Sequence, residues 1–259
     1  MEFDADLTAC AQLVEAGDAE RFAAVMAAPV AARAKLFPLY AFNIEVSRAP
    51  WVTQEPMIAE MRLQWWRDAL EEIREGALVR RHDVVTPLAH ILTAEDTERL
   101  DDLILARRWD IEREPFEDME AFRRHIRETS GGLLVVAGRS LDRAAPTKVL
   151  EQAGFALGLA NWLRAVPVLE AAGRIPLVEG THEALRGLAQ EGLDALDEAR
   201  VGRRDVPKAA RPAFLPVAQA EAVLRRAAAE PRRVGDGALD PAPIARRWAL
   251  SRAALFGRW

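Results

Sequence analysis

The sequence has little of what disulfide-stabilised, zinc-binding or membrane-spanning proteins depend on. Cys10 is the only cysteine among 259 residues, which excludes a disulfide framework and a thiolate metal cluster. The four histidines, at positions 82, 90, 125 and 182, lack H-x-x-x-H spacing, which argues against a zinc enzyme. The longest uncharged apolar run covers residues 153–163, far short of the roughly 20 residues that cross a bilayer.

Half of the residues are hydrophobic and 29% are charged, which is the composition of a globular protein. The chain is near the upper size that a single hydrophobic core serves, so we expect one domain over residues 1–259. Acidic residues (Glu2, Asp4 and Asp6) stand where a secretory signal would be basic. We therefore expect the protein in the cytoplasm.

Charge is spread unevenly along the chain. From Arg200 onward there are 13 basic and 5 acidic residues, whereas the first 199 residues carry 22 basic and 35 acidic ones. A basic tail on an acidic body either docks on that body or meets an anionic partner, and the sequence gives the two equal weight. The anionic partner would be the inner face of the cytoplasmic membrane. The tail has few aromatic residues and no nucleic-acid motif, so we expect no nucleic acid.

Apolar periodicity predicts helices almost throughout. One is expected from Pro29 to Ser47, with Pro38 as a kink or a delayed start. Others are predicted at about 56–76, 84–94, 96–112, 118–140, 147–171, 181–201, 214–229 and 244–256. Gly173 marks the end of the long helix at 147–171. The pattern predicts an all-α single-domain bundle of about eight to ten helices.

The helix at 147–171 has a small and polar face. Its members recur at three- and four-residue spacing: Gly154, Gly158, Asn161, Arg164, Ala165 and Val168. Such a face either lets another helix approach closely, with Arg164 paired to a core carboxylate, or lines a cavity.

Three segments of the chain, Arg21–Glu45, Glu55–Leu70 and Gly154–Leu177, resemble the squalene/phytoene synthase family. The most specific matches are Tyr40-Ala41-Phe42, Arg62-Leu63-Gln64-Trp65-Trp66-Arg67, and Asn161-x-x-Arg164 followed by Gly173-Arg174. The similarity runs from about residue 18 to 216, and a basic extension follows at about 217–259. The resemblance implies an isoprenoid-synthase-like bundle with a central cavity.

Catalytic members join two prenyl diphosphates head to head, and two aspartate-rich motifs hold the Mg²⁺ that neutralises the leaving group. Where the first motif is expected, this sequence reads Ser47-Arg48-Ala49-Pro50-Trp51. The two aspartate positions of the second motif are Ala165 and Leu169. We therefore predict no catalytic residue, no metal site and no cofactor; Mg²⁺ would be needed only by a synthase with a displaced metal site.

Nearby acids do not restore either motif. Glu45 and Glu170 project elsewhere, because each residue turns the helix by about 100°. Two other acidic groups are interpreted as solvated helix faces with local arginine partners: Asp68 and Glu72 beside Arg67 and Arg74, and Asp110, Glu112 and Glu114 beside Arg107 and Arg108.

Three functions stay open. Residues 42–45 and 163–167 resemble a non-catalytic branch of the family that acts in respiratory complex I assembly, which favours a pseudoenzyme with complex I subunits as partners. The alternative is an active head-to-head prenyltransferase of terpenoid biosynthesis. A third, compatible with the first, is an isoprenoid- or lipid-binding module. The candidate cavity or ligand-binding residues are Tyr40, Asn43, Ser47, Gly158, Asn161, Arg164, Ala165 and Arg174.

Overall fold

The computed structural model describes residues 4–53, 55–112 and 114–259, which form fourteen α-helices and no β-strand. The helices are α1 (Ala5–Gly17), α2 (Ala19–Ala27), α3 (Val30–Arg48), α4 (Pro56–Arg74), α5 (Val85–Leu88), α6 (Ala94–Ala106), α7 (Trp109–Glu112), α8 (Met119–Ile126), α9 (Gly132–Leu141), α10 (Thr147–Ala171), α11 (His182–Val201), α12 (Ala220–Ala229), α13 (Arg232–Gly235) and α14 (Pro243–Phe256). A π-helical turn, Arg127–Gly131, joins α8 to α9. Two 3₁₀ segments cover Gly202–Asp205 and Arg211–Gln219. The predicted all-α single-domain fold is confirmed.

The first two helices were not predicted, although their start signals are local. Asp4 accepts the backbone N–H of Leu7 at 2.9 Å, and Asp18 accepts that of Arg21 at 2.8 Å. These are N-cap bonds, which satisfy N–H groups that have no partner inside the helix. They fix where α1 and α2 begin.

Several predicted boundaries were wrong for identifiable reasons. Pro29 is the N-cap of α3, and Pro38 lies within α3 without delaying its start. The helix expected at 84–94 is only α5, and the residue predicted to end it, Ala94, instead begins α6 after the capping box of Thr93 and Asp96. The helix expected at 214–229 begins as a 3₁₀ segment that contains Pro216, which cannot donate a backbone hydrogen bond.

Helix α10 lies at the centre of the bundle and packs against α9, α11, α12 and the π-helical turn. Its predicted end is confirmed, since the helix ends at Ala171, Ala172 is the C-cap, and Gly173 follows with a positive φ of 76°. The basic extension contributes to the same core, and the Trp259 ring stacks on Phe214 at 4.4 Å. The boundary near residue 216 stays a prediction.

The glycines of α10 allow close helix packing. A Cβ on Gly154 would lie 2.8 Å from the Cα of Gly131, and one on Gly158 would lie 2.6 Å from Cγ2 of Ile126. Side chains at these two positions would therefore push α10 away from α8 and the π-helical turn. Within the described ranges, no helix has the length and apolarity needed to span a membrane.

Candidate functional site

A cavity of about 630 Å³ opens between the C-terminal half of α3, the π-helical turn and the C-terminal half of α10. Five of the eight candidate residues line it: Asn43, Ser47, Gly158, Asn161 and Ala165. The small face of α10 therefore serves both purposes considered from the sequence. Its glycine end packs against another helix, and the rest forms a cavity wall.

Four of the five positions that the resemblance matches to the two aspartate motifs meet at this cavity; the fifth, Arg48, is exposed and lies outside the lining. Ser47 and Trp51 lie on one side, and Ala165 and Leu169 lie on the other. The Ser47 hydroxyl donates to the carbonyl of Ile44 in its own helix at 3.0 Å. Ala165 is half-buried and Trp51 is 40% exposed at the rim. These four positions present a hydroxyl, an indole and two aliphatic side chains.

Tyr40 lies outside the lining of the cavity. It is almost fully buried, with the Arg21 guanidinium 5.5 Å from its ring centroid. Burial raises the pKa of its hydroxyl to about 12, because a phenolate is poorly solvated in the core. Tyr40 therefore packs in the core behind the residues that line the cavity.

Arg164 also lies outside the main cavity and lines an adjoining pocket of about 490 Å³, which shares Asn161 and Ala165 with it. Its Nη2 is 2.8 Å from Oε1 of Glu20, and its Nε is 2.6 Å from Oδ1 of Asp240. Burial opposes ionisation of Glu20, yet the bonds from Arg164 and Arg246 hold its pKa below the usual value. The carboxylate expected for Arg164 is thus supplied mainly by α2.

Arg174 is buried behind the rim. Its guanidinium lies 5.0 Å from the Trp51 ring centroid and donates a hydrogen bond to the backbone carbonyl of Asp110. This arrangement ties α7 to the segment that follows α3. Arg174 therefore positions the rim and does not line the main cavity.

Two carboxylates in the cavity wall were not assigned to it from the sequence. Asp18 is 2.6 Å from Nη1 of Arg21, and Asp110 is 3.5 Å from Nη1 of Arg107. Burial raises the pKa of Asp110, and its arginine neighbours offset this effect only in part. The interpretation of Asp110 as a solvated side chain was wrong, because α7 packs beneath α4 and Arg174.

The solvated acids on α4 have other partners than expected. Glu72 is 2.6 Å from Nη2 of Arg80, and Arg67 binds Asp101 of α6 at 2.7 Å. Arg80 follows α4 in a loop and Asp101 comes from another helix, so these contacts depend on tertiary structure. Helical spacing alone does not give them.

An aromatic cluster forms the floor of the cavity around His125. Trp162 and Phe116 lie 5.1 Å and 5.3 Å from the His125 ring, and Nδ1 lies 3.1 Å from the carbonyl of Ala106. Burial lowers the pKa of His125 to about 3, so the imidazole is neutral at physiological pH. The buried Nε2 and the Ser130 hydroxyl have no hydrogen-bond partner within the described part of the chain.

These residues do not fit the metal of the synthase reaction. Mg²⁺ takes near-octahedral oxygen ligands and is usually held by carboxylates. The carboxylates among the described lining residues are Asp18 and Asp110; each is paired with an arginine, and Asp18 also caps α2. No group of three or more His, Cys, Asp or Glu side chains in the described ranges is arranged to hold a metal ion.

Sequence reasoning missed Asp18, Arg21, Arg107 and His125 as lining residues. A signal existed for Asp18, which stands at capping distance from Arg21 before an apolar helix. His125 shares a helical face with Phe122 and Ile126, which indicates burial but not the cavity.

The family profile described as squalene/phytoene synthase matches residues 14–179, which is more than half of the chain. The chain belongs to the squalene/phytoene synthase family. The predicted family resemblance is thereby confirmed, and the cavity between α3, the π-helical turn and α10 is that of a squalene/phytoene synthase family member.

Two relatives with similar sequences are named as complex I assembly factors and not as synthases. One is "NADH dehydrogenase (ubiquinone) complex I, assembly factor 6 homolog" of Drosophila melanogaster, 31% identical over 203 residues, covering 71% of this chain and 57% of that protein. The other is complex I assembly factor 6 of Bos taurus, 22% identical over 256 residues, covering 84% of this chain and 72% of that protein. This chain thus spans little more than half of the fly relative.

Solved structures of synthases share the fold. A dehydrosqualene synthase in complex with ligand superposes with a TM-score of 0.76 at 15% identity, covering 95% of this chain and 94% of the other. Squalene synthase HpnC from Alicyclobacillus acidocaldarius gives 0.71 at 19% identity, covering 89% and 94%. At such identities the likeness shows the fold alone.

Proposed function

We propose that this squalene/phytoene synthase family member is non-catalytic and acts in the assembly of respiratory complex I. The observation that carries the proposal is the cavity itself. The residues at the positions of the two motifs face each other across it, and none of them is a carboxylate. Ionisation of a diphosphate needs cations that neutralise the leaving group, and the family supplies them as Mg²⁺ on those aspartates.

The arginines of the cavity do not replace the metal. The cations among the described lining residues are Arg21 and Arg107, and each is paired with a carboxylate. Arg164, beside the cavity, is held by Glu20 and Asp240. A diphosphate would have to compete with these carboxylates in a partly buried site. The electrostatics therefore favour a ligand without net charge.

The names of the fly and bovine relatives, both complex I assembly factors, support the role in complex I assembly. The expected partners are complex I subunits. Deletion of the gene in its host should lower NADH:quinone oxidoreductase activity and the amount of assembled complex on native gels, and the wild-type gene should restore both. Normal complex I in the deletion strain would contradict the role.

The absence of catalysis is tested separately. Purified protein should form neither squalene nor phytoene from prenyl diphosphates with Mg²⁺ or Mn²⁺ and a reductant. Product that scales with protein and disappears with a chelator would support the alternative, an active prenyltransferase with a displaced metal site.

A second candidate function, compatible with the first, is binding of a neutral isoprenoid or lipid. It is favoured by the volume of the cavity and by its floor of Trp162 beside the neutral His125. Farnesol should bind without metal, and farnesyl diphosphate should gain nothing from Mg²⁺. Ala165→Phe, which places a large side chain in the cavity, should weaken farnesol binding. Ala222→Phe on the exposed face of α12 should not. Equal binding by both variants would place the ligand elsewhere.

A further inference from the structure

Helix α14 exposes an apolar stripe on its outward face. Ile244, Trp248 and Leu255 are 80%, 72% and 77% exposed. Since each residue turns a helix by about 100°, these three side chains lie within roughly 40° of one another around the helix axis. The stripe runs along the length of α14, with the exposed Ser251 on the same face between Trp248 and Leu255.

Basic side chains flank the stripe on both sides. Arg247 and Arg252 are exposed and lie about 60–80° from the centre of the stripe in opposite directions around the axis. No acidic residue occurs from Pro241 to Trp259. The outward surface of α14 is thus apolar in the middle and positive at both edges.

The rest of α14 is anchored to the body. Ala253 is buried on the opposite face, and Arg246 lies 3.1 Å from Oε1 of Glu20 in α2. Beyond the helix, Trp259 stacks on Phe214 and its carbonyl accepts a hydrogen bond from Arg200 at 3.0 Å. These contacts fix which face of α14 points outward. The stripe is therefore preformed and needs no folding step to be presented.

Other arginines of the basic tail are already engaged. Arg232 and Arg233 lie 3.4 Å and 2.8 Å from Glu230, and Arg226 donates to the carbonyl of Asp240. The sequence left two interpretations of the tail, docking on the acidic body and binding of an anionic partner. They thus apply to different residues. These cations serve the body, whereas Arg247 and Arg252 of α14 are exposed beside the apolar stripe.

We propose that the outward face of α14 binds the surface of an anionic membrane. An amphipathic helix lies in the interface with its apolar stripe at the acyl boundary, while arginines on its flanks reach the lipid phosphates. Trp248 suits this position because an indole has a large apolar body and a polar N–H. The inference does not depend on what the cavity binds.

The charge pattern favours this occupant over a second copy of the chain. Isologous pairing through α14 would bring Arg247 and Arg252 of one copy close to the same residues of the other, and like charges repel. Anionic headgroups instead complement both exposed arginines of the helix.

The test is co-sedimentation of the full chain with vesicles of phosphatidylcholine alone or with about 30% phosphatidylglycerol, at about 0.05 M and about 0.3 M salt. We expect binding to the anionic vesicles that weakens as salt rises. An arginine near the headgroups contributes about 1 kcal/mol, so Arg247→Gln/Arg252→Gln should lower the partition coefficient by roughly 30-fold. Trp248→Ser/Leu255→Ser should abolish binding even at the lower salt.

Matched controls lie on other surfaces. Leu78→Ser removes an even more exposed apolar side chain from the loop after α4, and Arg62→Gln removes an exposed arginine from α4; neither should change vesicle binding. Thermal melting identifies any variant that fails to fold. Binding that persists unchanged in both α14 variants, or wild-type protein that stays in the supernatant, would overturn the proposal. The proposal would also be overturned if the wild-type protein bound no vesicles but self-associated, and Trp248→Ser/Leu255→Ser abolished that self-association. That result would assign the face to a second copy of the chain.

Discussion

The inward face of α10 and the outward face of α14 carry opposite kinds of side chains. Helix α10 lies within the residues that the family profile matches and presents small, uncharged groups to the cavity, such as Gly158 and Ala165. Helix α14 lies beyond those residues and presents large apolar and basic groups to solvent. Within one chain, the helix that lines the cavity therefore carries small uncharged groups, and the helix that faces solvent carries large apolar and basic ones.

The largest effect on stability is expected from an acidic substitution at a buried position of α10, compared with the same substitution at its cavity wall. Ala160 is 1% exposed, whereas Ala165 is half-buried at the open cavity. Ala160→Asp should lower the free energy of unfolding by about 3–5 kcal/mol, because the carboxylate would be buried without a partner. Ala165→Asp should cost less than about 1 kcal/mol, since water reaches it. Denaturant unfolding measures both; equal losses would show that the cavity is closed and dry in solution.

The next effect concerns the glycine end of the same face. A Cβ on Gly154 would meet backbone atoms of Gly131 and Ser130, which cannot move away as a side chain would. Gly154→Ala should therefore destabilise by about 1–3 kcal/mol.

The matched control is Gly187 in α11, where a Cβ would meet nothing within 4 Å. Gly187→Ala should stabilise by about 0.5–1 kcal/mol, because alanine loses less backbone entropy in a helix. Stabilisation by both substitutions would mean that α10 does not approach the π-helical turn this closely.

The pH dependence of the free energy of unfolding should show that His125, in the cavity floor, is buried and neutral. The pKa of His125 is about 3 in the folded protein against 6.5 when exposed, so the unfolded state binds the proton first and stability falls as pH drops below about 6.5. Between pH 7 and pH 5 this amounts to about 2 kcal/mol. Asp110, with a raised pKa, acts in the opposite direction.

The His125 contribution is therefore measured as a difference between variants. His125→Leu should flatten the loss of stability from pH 7 to pH 5 relative to wild type, and His182→Gln at the exposed start of α11 should keep it. An unchanged slope in His125→Leu would show that the imidazole is solvated.

The smallest effect is expected on the outward face of α14. Leu255→Ser should change the free energy of unfolding by no more than about 0.5 kcal/mol, because an exposed side chain without packing contributes little to stability. Chemical denaturation in the absence of lipid measures it. A loss of several kcal/mol would mean that the stripe is covered in solution and that the contrast with α10 does not hold.

Much of the fold follows from local sequence. A helix is stabilised by hydrogen bonds four residues apart and by apolar side chains on one face, so α4, α10 and α14 were predicted closely. The family match could likewise be read from short motifs, and the residues Ser47 and Ala165 are read directly from the sequence. Helix ends were less predictable where a capping box or a π-helical turn interrupts the pattern, as around Thr93 and Gly131.

Tertiary structure decided the environment of several charged residues. Asp110 is flanked by arginines and looked solvated, yet α4 and Arg174 bury it. Arg164 and Glu20 are 144 residues apart, and no periodicity connects them. Likewise, the arginines of α14 looked alike until the docking of the helix turned Arg246 inward and Arg247 and Arg252 outward. Helical periodicity depends on neighbours in the chain, whereas burial and ion pairing depend on which distant segments meet.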